Sequence, residues 1–365
     1  MVIVEMSSTK ILIKFRLKFI FIMILCSLTF FLSVYISGAG APKQANFYSK
    51  FIANADETIG RFCERFNYSN NSFSNYLPIA EIPEIKSGYI PQGFCYCEKL
   101  NVYFISYYHS EKSSILALID AETNKRIKTI NLLDENGKSF TGHVGGIGDD
   151  GTYLYITCNK SVSRVEIEKI VNLGDYNNII LNEFIYTDVN CSYLNCDGKY
   201  LYVGEFYTND GDYNTDESHH IMMSPLEVSF ARANAYKISS LEFNKSNKDI
   251  SIPEFSLAVP NRVQGISRLG DGKFVLSVSY GRKNYSYLLT YKDVVSAEST
   301  YSYMVNDKIV PIYFLCENTQ IDKKTLPPML EGIDIKNNNV YGIFESGAEK
   351  YSDARFIENS LCEFK

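Results

Sequence analysis

Residues 263–280, VQGISRLGDGKFVLSVSY, decide the fold class. A short run opening on Val263-Gln-Gly-Ile266 meets the turn pair Asp271-Gly272, and a second strand rich in β-branched residues follows. Asp-Gly between two alternating strands supplies the positive φ angles that a tight hairpin requires. Four other stretches repeat the arrangement. Pro91-Gln-Gly-Phe94 leads to NVYFISYY, and His143-Val-Gly-Gly-Ile147 passes through Asp149-Asp-Gly151 to TYLYIT. Asn190-Cys-Ser-Tyr-Leu194 passes through Asp197-Gly198 to KYLYVGEFY, and Leu330-Glu-Gly-Ile333 through Asn337-Asn-Asn339 to VYGIFES.

Aligned on Gln92, Gly145, Ser192, Gln264 and Glu331, the units are spaced by about 53, 47, 72 and 67 residues. The shorter spacings fit a four-stranded propeller blade, and the longer ones hold extra loops. Third strands follow at 114–120, 162–167 and 286–291, and a fourth, IKTINL, at 126–132. Residues 359–364 would be the third strand of the last unit and 77–85 its fourth. That pairing of the two ends would close the ring and remove free sheet edges. The pattern predicts an all-β chain forming a single β-propeller of five blades; a sixth would have to lie in 301–317, where MVNDKIVPIYFLCE reads as one more hairpin.

The Pro-Gln-Gly, Gly-His-Val-Gly-Gly and Val-Gln-Gly-Ile-Ser motifs, with Glu-Gly-Ile followed by Phe-Glu-Ser-Gly-Ala-Glu-Lys-Tyr, resemble a group of exported bacterial propeller proteins of undefined activity. The resemblance covers roughly residues 79–365. More distantly, the blade pattern is similar to gluconolactonase-like and Tyr-Val-Thr-Asn-type propellers. It implies architecture and an exported location rather than a reaction.

Composition agrees with strands: 28 Tyr and 23 Phe, no Trp, in a chain of 365 residues. The net charge is -6, and residues 1–18 carry +3, from Lys10, Lys14, Arg16 and Lys18 against Glu5, which leaves -9 for the remainder. An acidic domain lacks the basic footprint of a nucleic-acid binder. Residues 19–36, FIFIMILCSLTFFLSVYI, are uncharged over 18 positions, close to the length of a bilayer crossing. The basic flank precedes this run, so the positive-inside rule puts 1–18 in the cytoplasm, a membrane anchor or signal segment at 19–37, and the rest outside. A spacer, partly helical near 47–66, would fill 38–76, and the propeller 77–365. An uncleaved anchor is the favoured reading, because Pro42 follows the small-residue stretch ending at Ala41; cleavage there would secrete the chain.

Nine cysteines, eight beyond the apolar run, leave disulfides, buried free thiols or a zinc site from Cys95, Cys97, Cys191 and Cys196 open. No C-x-x-C knuckle supports the last.

In a propeller the first strand of each blade lines the channel, so Gln92, His143, Asn190, Gln264 and Glu331 should converge near its mouth. They are expected to hold a small molecule, glycan or envelope protein, or to satisfy one another across the axis. His143, one of four His, and Glu331 are the candidates for acid-base work in a cation-dependent hydrolase or lactonase. Second-strand ends add Tyr107, Tyr108, His109, Glu205, Tyr207, Tyr280 and Glu345 as rim residues. Asp210, Asp212, Asn214 and Asp216 alternate as calcium ligands do, but Ile221 stands where an EF-hand needs Glu. No nucleophile elbow, P-loop, dinucleotide fingerprint or H-E-x-x-H is present.

Overall fold

The computed structural model describes residues 73, 75–224, 227–243, 248–299 and 301–365. The expected cytoplasmic segment 1–18, membrane segment 19–37 and helical spacer near 47–66 lie outside the described residues. No helix among the described residues is long and apolar enough to cross a membrane.

The described chain is all-β and forms five blades, each starting at one of the repeat motifs. Blade 1 runs outward through Ile90–Cys97, Val102–Tyr108, Ile115–Asp120 and Arg126–Leu133, with Asn178–Ile180 added parallel at its edge. Blade 2 comprises Ile147–Asp149, Tyr153–Cys158, Ser161–Glu166 and Phe184–Tyr186. Blade 3 comprises Tyr193–Cys196, Tyr200–Gly204, Ala231–Lys237 and Phe255–Val259; blade 4 comprises Val263–Arg268, Phe274–Val278, Ser286–Tyr291 and Gln320–Leu326. Blade 5 is Leu330–Lys336, Asn339–Phe344 and Ser360–Phe364, completed by Tyr76–Glu81 from the other end of the domain. Tyr76 pairs with Phe364 and Glu81 with Ser360, so the ring closes through the two ends, as the repeat pattern required.

Residues 301–317 do not form a sixth blade. Tyr301–Val305 and Lys308–Phe314 do form a hairpin, but the second strand pairs parallel with Phe255–Val259 and widens blade 3 to six strands. The hairpin has no inner strand of its own, so it cannot line the channel. It accounts for one long repeat interval; the hairpin Ile221–Ser224 with Glu227–Ser229 sits in the other.

The turn chemistry explains why the repeats recur. Gly151, Gly198 and Gly272 have φ of 80°, 83° and 87°, and Asn337 and Asn338 take 51° and 64°, the left-handed region those residue types tolerate. The turn aspartates then bond forward. Asp150 accepts from the Thr152 and Tyr153 amides at 2.8 Å each, and Asp197 from Lys199 at 2.9 Å and Tyr200 at 2.7 Å. Tyr155 donates its hydroxyl back to Asp150 at 2.7 Å, and Tyr202 to Asp197 at 2.8 Å, which gives the Tyr-x-Tyr spacing of the second strands a purpose.

The core is divided into wedges between neighbouring blades. Phe104, Leu116, Leu154 and Ile156 fill the one between blades 1 and 2; Phe94, Tyr103, Tyr107, Ile343 and Leu361 fill the one between blades 5 and 1. Inner strands approach each other more closely than side chains allow. A Cβ on Gly146 would lie 2.0 Å from the Leu194 amide nitrogen of blade 3, and one on Gly332 would lie 2.5 Å from that of Phe94 in blade 1. Both positions therefore demand glycine.

All seven cysteines among the described residues are free, so no disulfide holds this part together. Cys95 and Cys97 are fully buried, and burial pushes their thiols up, that of Cys97 to about 12.

Candidate functional site

One mouth of the channel opens into a cavity of about 780 Å³. Gln92, His143, Asn190, Gln264 and Glu331, one position from each blade, all line it, so residues up to about 240 positions apart in sequence share one surface. The local backbone explains how. The inner strands of blades 1, 4 and 5 shift register at Pro91/Phe94, Val263/Gly265 and Leu330/Ile333, so a β-bulge spans Gln92, Gln264 and Glu331 alike. A bulge re-aims the side chain it carries.

At the floor, two carboxyls are each held by a glutamine amide. Gln264 Nε2 donates to Glu331 Oε1 at 3.0 Å, and Gln92 Nε2 donates to Glu345 Oε1. Glu331 is 4% exposed. Burial, and then the charge of Glu345, hold the Glu331 carboxyl well above the usual carboxylate range. Burial also pushes Glu345 up, to about 7, against the opposing pull of the Gln92 amide, Lys350 and Arg282. His143 stacks on Tyr108, with ring centroids 4.0 Å apart and planes at 16°, and its Nδ1 lies 3.4 Å from Gln92 Oε1. Burial, with Lys350 adding, lowers its pKa, so the ring is neutral at pH 7.

The walls are aromatic. Tyr213 packs edge-on to Phe206 at 5.1 Å, Phe206 lies 6.1 Å from Tyr280, and Tyr351 carries the Arg282 guanidinium over its ring at 4.9 Å. Arg282 is in turn paired with Asp353 at 2.6 Å. The arrangement offers polar groups at the base and flat apolar surface at the sides, which suits a small polar molecule with a ring or chain attached.

Of the expected rim residues, Tyr108, Tyr280 and Glu345 line the cavity, and Tyr107, His109, Glu205 and Tyr207 do not. Tyr107 alternates to the other face of its strand and is fully buried in the wedge between blades 5 and 1. His109 holds a turn, its Nδ1 accepting from the Glu111 and Lys112 amides at 3.0 Å each. Glu205 is 1% exposed and pairs with His219 Nδ1 at 2.8 Å. The acidic loop divides as well. Asp212 and Asn214 reach the cavity, and Tyr280 donates to Asp212 at 3.2 Å. Asp210 accepts from Thr208, and Asp216 caps a short helical turn by accepting from the Ser218 amide at 2.9 Å. These carboxyls are spent on loop structure. Among the described residues no group of three or more His, Cys, Asp or Glu is disposed to hold a metal ion. The four-cysteine zinc set is not assembled either, since Cys191 packs with Val189 and Leu201, in a different wedge from Cys95 and Cys97.

Sequence reasoning missed Tyr213, Lys350, Tyr351 and Arg282 as lining residues. Lys350 and Tyr351 fall inside the Phe-Glu-Ser-Gly-Ala-Glu-Lys-Tyr stretch, which was the available signal; in a chain with 28 Tyr the others look like core.

The opposite mouth holds a second cavity of about 730 Å³ around Asp149, Asn195, Ser267 and Asp334. Asp334 accepts from the Tyr96 amide and from Asn195 Nδ2, both at 2.8 Å, and burial still pushes it up to about 6.

No known family description matches the sequence, and no curated protein matches it. Among solved structures the chain is similar to the glutaminyl cyclase of Myxococcus xanthus, at 11% identity over 80% of this chain and 95% of that one, with a TM-score of 0.41. It is also similar to the Cps50 β-propeller domain of Myceliophteria thermophila, at 8% identity, 80% and 98% coverage, and a TM-score of 0.35. A third is the hydrazine synthase of Kuenenia stuttgartiensis, at 12% identity and a TM-score of 0.36, where the match covers 75% of this chain and 58% of that one. These likenesses concern the fold alone.

Proposed function

We propose that the protein is a binding propeller that takes a small polar ligand in the 780 Å³ cavity at one channel mouth. The observation that carries the reading is the convergence of one polar residue from every blade on a single cavity whose floor is two glutamine-braced carboxyls. Its setting would be the outer face of a membrane, with residues 19–37 as the anchor; the support is the uncharged run of 18 behind a basic flank.

A second reading, a cation-dependent hydrolase or lactonase working through His143 and Glu331, draws on Glu345, whose carboxyl near pH 7 is suited to proton transfer. It is the weaker one, because the floor glutamines turn amide N–H groups rather than oxygens toward the carboxyls, and His143 bonds to Gln92 rather than to either acid. Elemental mass spectrometry of the purified full chain, with fragment binding measured on wild type and Gln92→Ala, separates the two. Fragment binding that depends on Gln92, without stoichiometric metal, is the expected result. Bound calcium or another divalent ion at one per chain, lost in Glu331→Gln, would replace the binding reading by the hydrolase.

A further inference from the structure

We infer that the ligand of this cavity is a small organic cation, its ammonium or guanidinium group set against Glu331 and its body lying between the aromatic walls; this rests on the pocket-binding reading above. Glu331 has one carboxyl oxygen held and one open. It lines the cavity while only 4% exposed, and Gln264 occupies one carboxyl oxygen. No described residue donates to the other oxygen, Oε2.

The positive side chains nearby are engaged elsewhere. Arg282 is paired with Asp353 at 2.6 Å and lies over the Tyr351 ring. Lys350 also lies over Tyr351, at 5.5 Å, and its charge acts on Glu345 and His143. A buried carboxylate without a counter-charge is costly and stays protonated instead. The elevation of the Glu331 carboxyl by burial and by Glu345, with no cation opposing it, is that condition. An ammonium group from a ligand supplies the missing charge and donates to the open oxygen, a charge-assisted bond about twice as strong as a neutral one.

The walls fit the same ligand class. Tyr213 is 54% exposed at the cavity, and tyrosine faces attract organic cations. A divalent metal is the poorer occupant, since it needs six or more oxygen ligands and the floor presents two N–H donors.

Binding of a cation favours the ionised carboxyls. The groups facing the pair are the Gln92 and Gln264 amides, His143, Lys350, Arg282, Tyr213 and Tyr351. Of these His143 is already neutral near pH 7, so the protons released on binding come from the two glutamates. Affinity then rises with pH, by up to about tenfold per unit for each proton released, across the range around pH 7 where Glu345 titrates.

The test uses the full chain and a fragment set with equal numbers of cationic, neutral and anionic members, read by ligand-observed NMR. Benzylamine and benzyl alcohol form a matched pair within it. Cationic fragments are expected to dominate the hits, with benzylamine at least about tenfold tighter than benzyl alcohol, a charge-assisted pair being worth about 1.4 kcal/mol or more. That ratio should grow from pH 6 to pH 8, fall to near one in Glu331→Gln, and stay unchanged in Asp271→Asn, an exposed turn acid. Hits that are mainly neutral or anionic, or a ratio that Glu331→Gln leaves intact, would overturn the cationic ligand while the pocket reading stands. Absence of any hit sensitive to Gln92→Ala would overturn both. Should Glu331→Gln fail to fold, judged by its melting temperature, the wild-type pH series carries the test: a benzylamine to benzyl alcohol ratio that grows from pH 6 to pH 8 is expected, and a ratio flat over that range would overturn the cationic ligand.

Discussion

Replacing Gly146 by alanine tests whether the channel is closed by backbone contact. The added Cβ would meet the Leu194 amide nitrogen at 2.0 Å, the Tyr193 carbonyl carbon at 2.5 Å and the Leu194 Cα at 2.8 Å. Ordinary carbon contacts begin near 3.5 Å, so blade 3 must retreat from blade 2 by roughly 1.5 Å. Every clashing atom is backbone, and no rotamer change relieves it. Overpacking usually costs about 1–3 kcal/mol, and a strand fixed between two neighbours belongs at the top of that range, so a loss of about 3 kcal/mol is expected. For a domain of this size that corresponds to a fall in Tm of roughly 5 °C. Gly270→Ala is the control, because a Cβ there meets nothing within 4 Å and should change stability by less than about 0.5 kcal/mol. Urea unfolding of the full chain, followed by far-UV circular dichroism, measures both. A Gly146→Ala protein within about 1 kcal/mol of the Gly270→Ala protein would refute the close approach of the inner strands.

Two further perturbations address the buried polar and ionisable groups. Asp334 is raised from 3.8 to about 6, so its contribution to stability is complete below pH 4 and is lost as pH rises through 6; the shift amounts to about 3 kcal/mol. Asp334→Asn should flatten that part of the pH profile, and unfolding midpoints at pH 4, 5, 6 and 7 that keep the wild-type slope would contradict it. The thiols of Cys95 and Cys158, buried and held well above their ordinary pKa by burial, should resist aromatic disulfide reagents at pH 8 in the native state and react on unfolding. Rapid labelling of either in the folded protein would show that its wedge opens.

The fold was legible because its decisive features are local. Alternating strands recur in every blade, an Asp-Gly or Asn-rich turn in all but blade 1 and the x-Gly motif in all but blade 3, and the ring closure followed from a strand pattern left over at each end. The 301–317 hairpin was ambiguous for a physical reason: its register and turn are those of any hairpin, and only its parallel partner, distant in sequence, assigns it to blade 3. Site residues divided along the same line. Positions just before the repeat glycines were found from the repeat, whereas Lys350, Tyr351 and Tyr213 come from loops whose course no period describes. Tyr107 was misplaced because the rim was read as a pair of neighbours, and neighbours on a strand face opposite ways.

The same bulges tie closure to binding. Where the glycine allows the next blade to touch, the residue before it is turned to the channel mouth: Gln92 before Gly93, Gln264 before Gly265, Glu331 before Gly332. The glycine is fixed by sterics that depend on the ring alone. Its neighbour reaches the adjacent blade through its side chain, as Gln264 reaches Glu331, so that position can carry chemistry, and it holds an amide in blades 1 and 4 and an acid in blade 5. A repeat defined by its glycines therefore identifies a propeller and is silent about the ligand. The ligand is encoded in the departures from the repeat: an acid in blade 5 where blades 1 and 4 have amides, and the second acid, Glu345, that raises it. Exchanging Gln264 and Glu331 should on this argument keep the ring intact while moving the charge to blade 4. A double variant that melts within about 3 °C of wild type but loses Glu331-dependent binding is the expected outcome, and loss of the fold would show that closure and site are not separable.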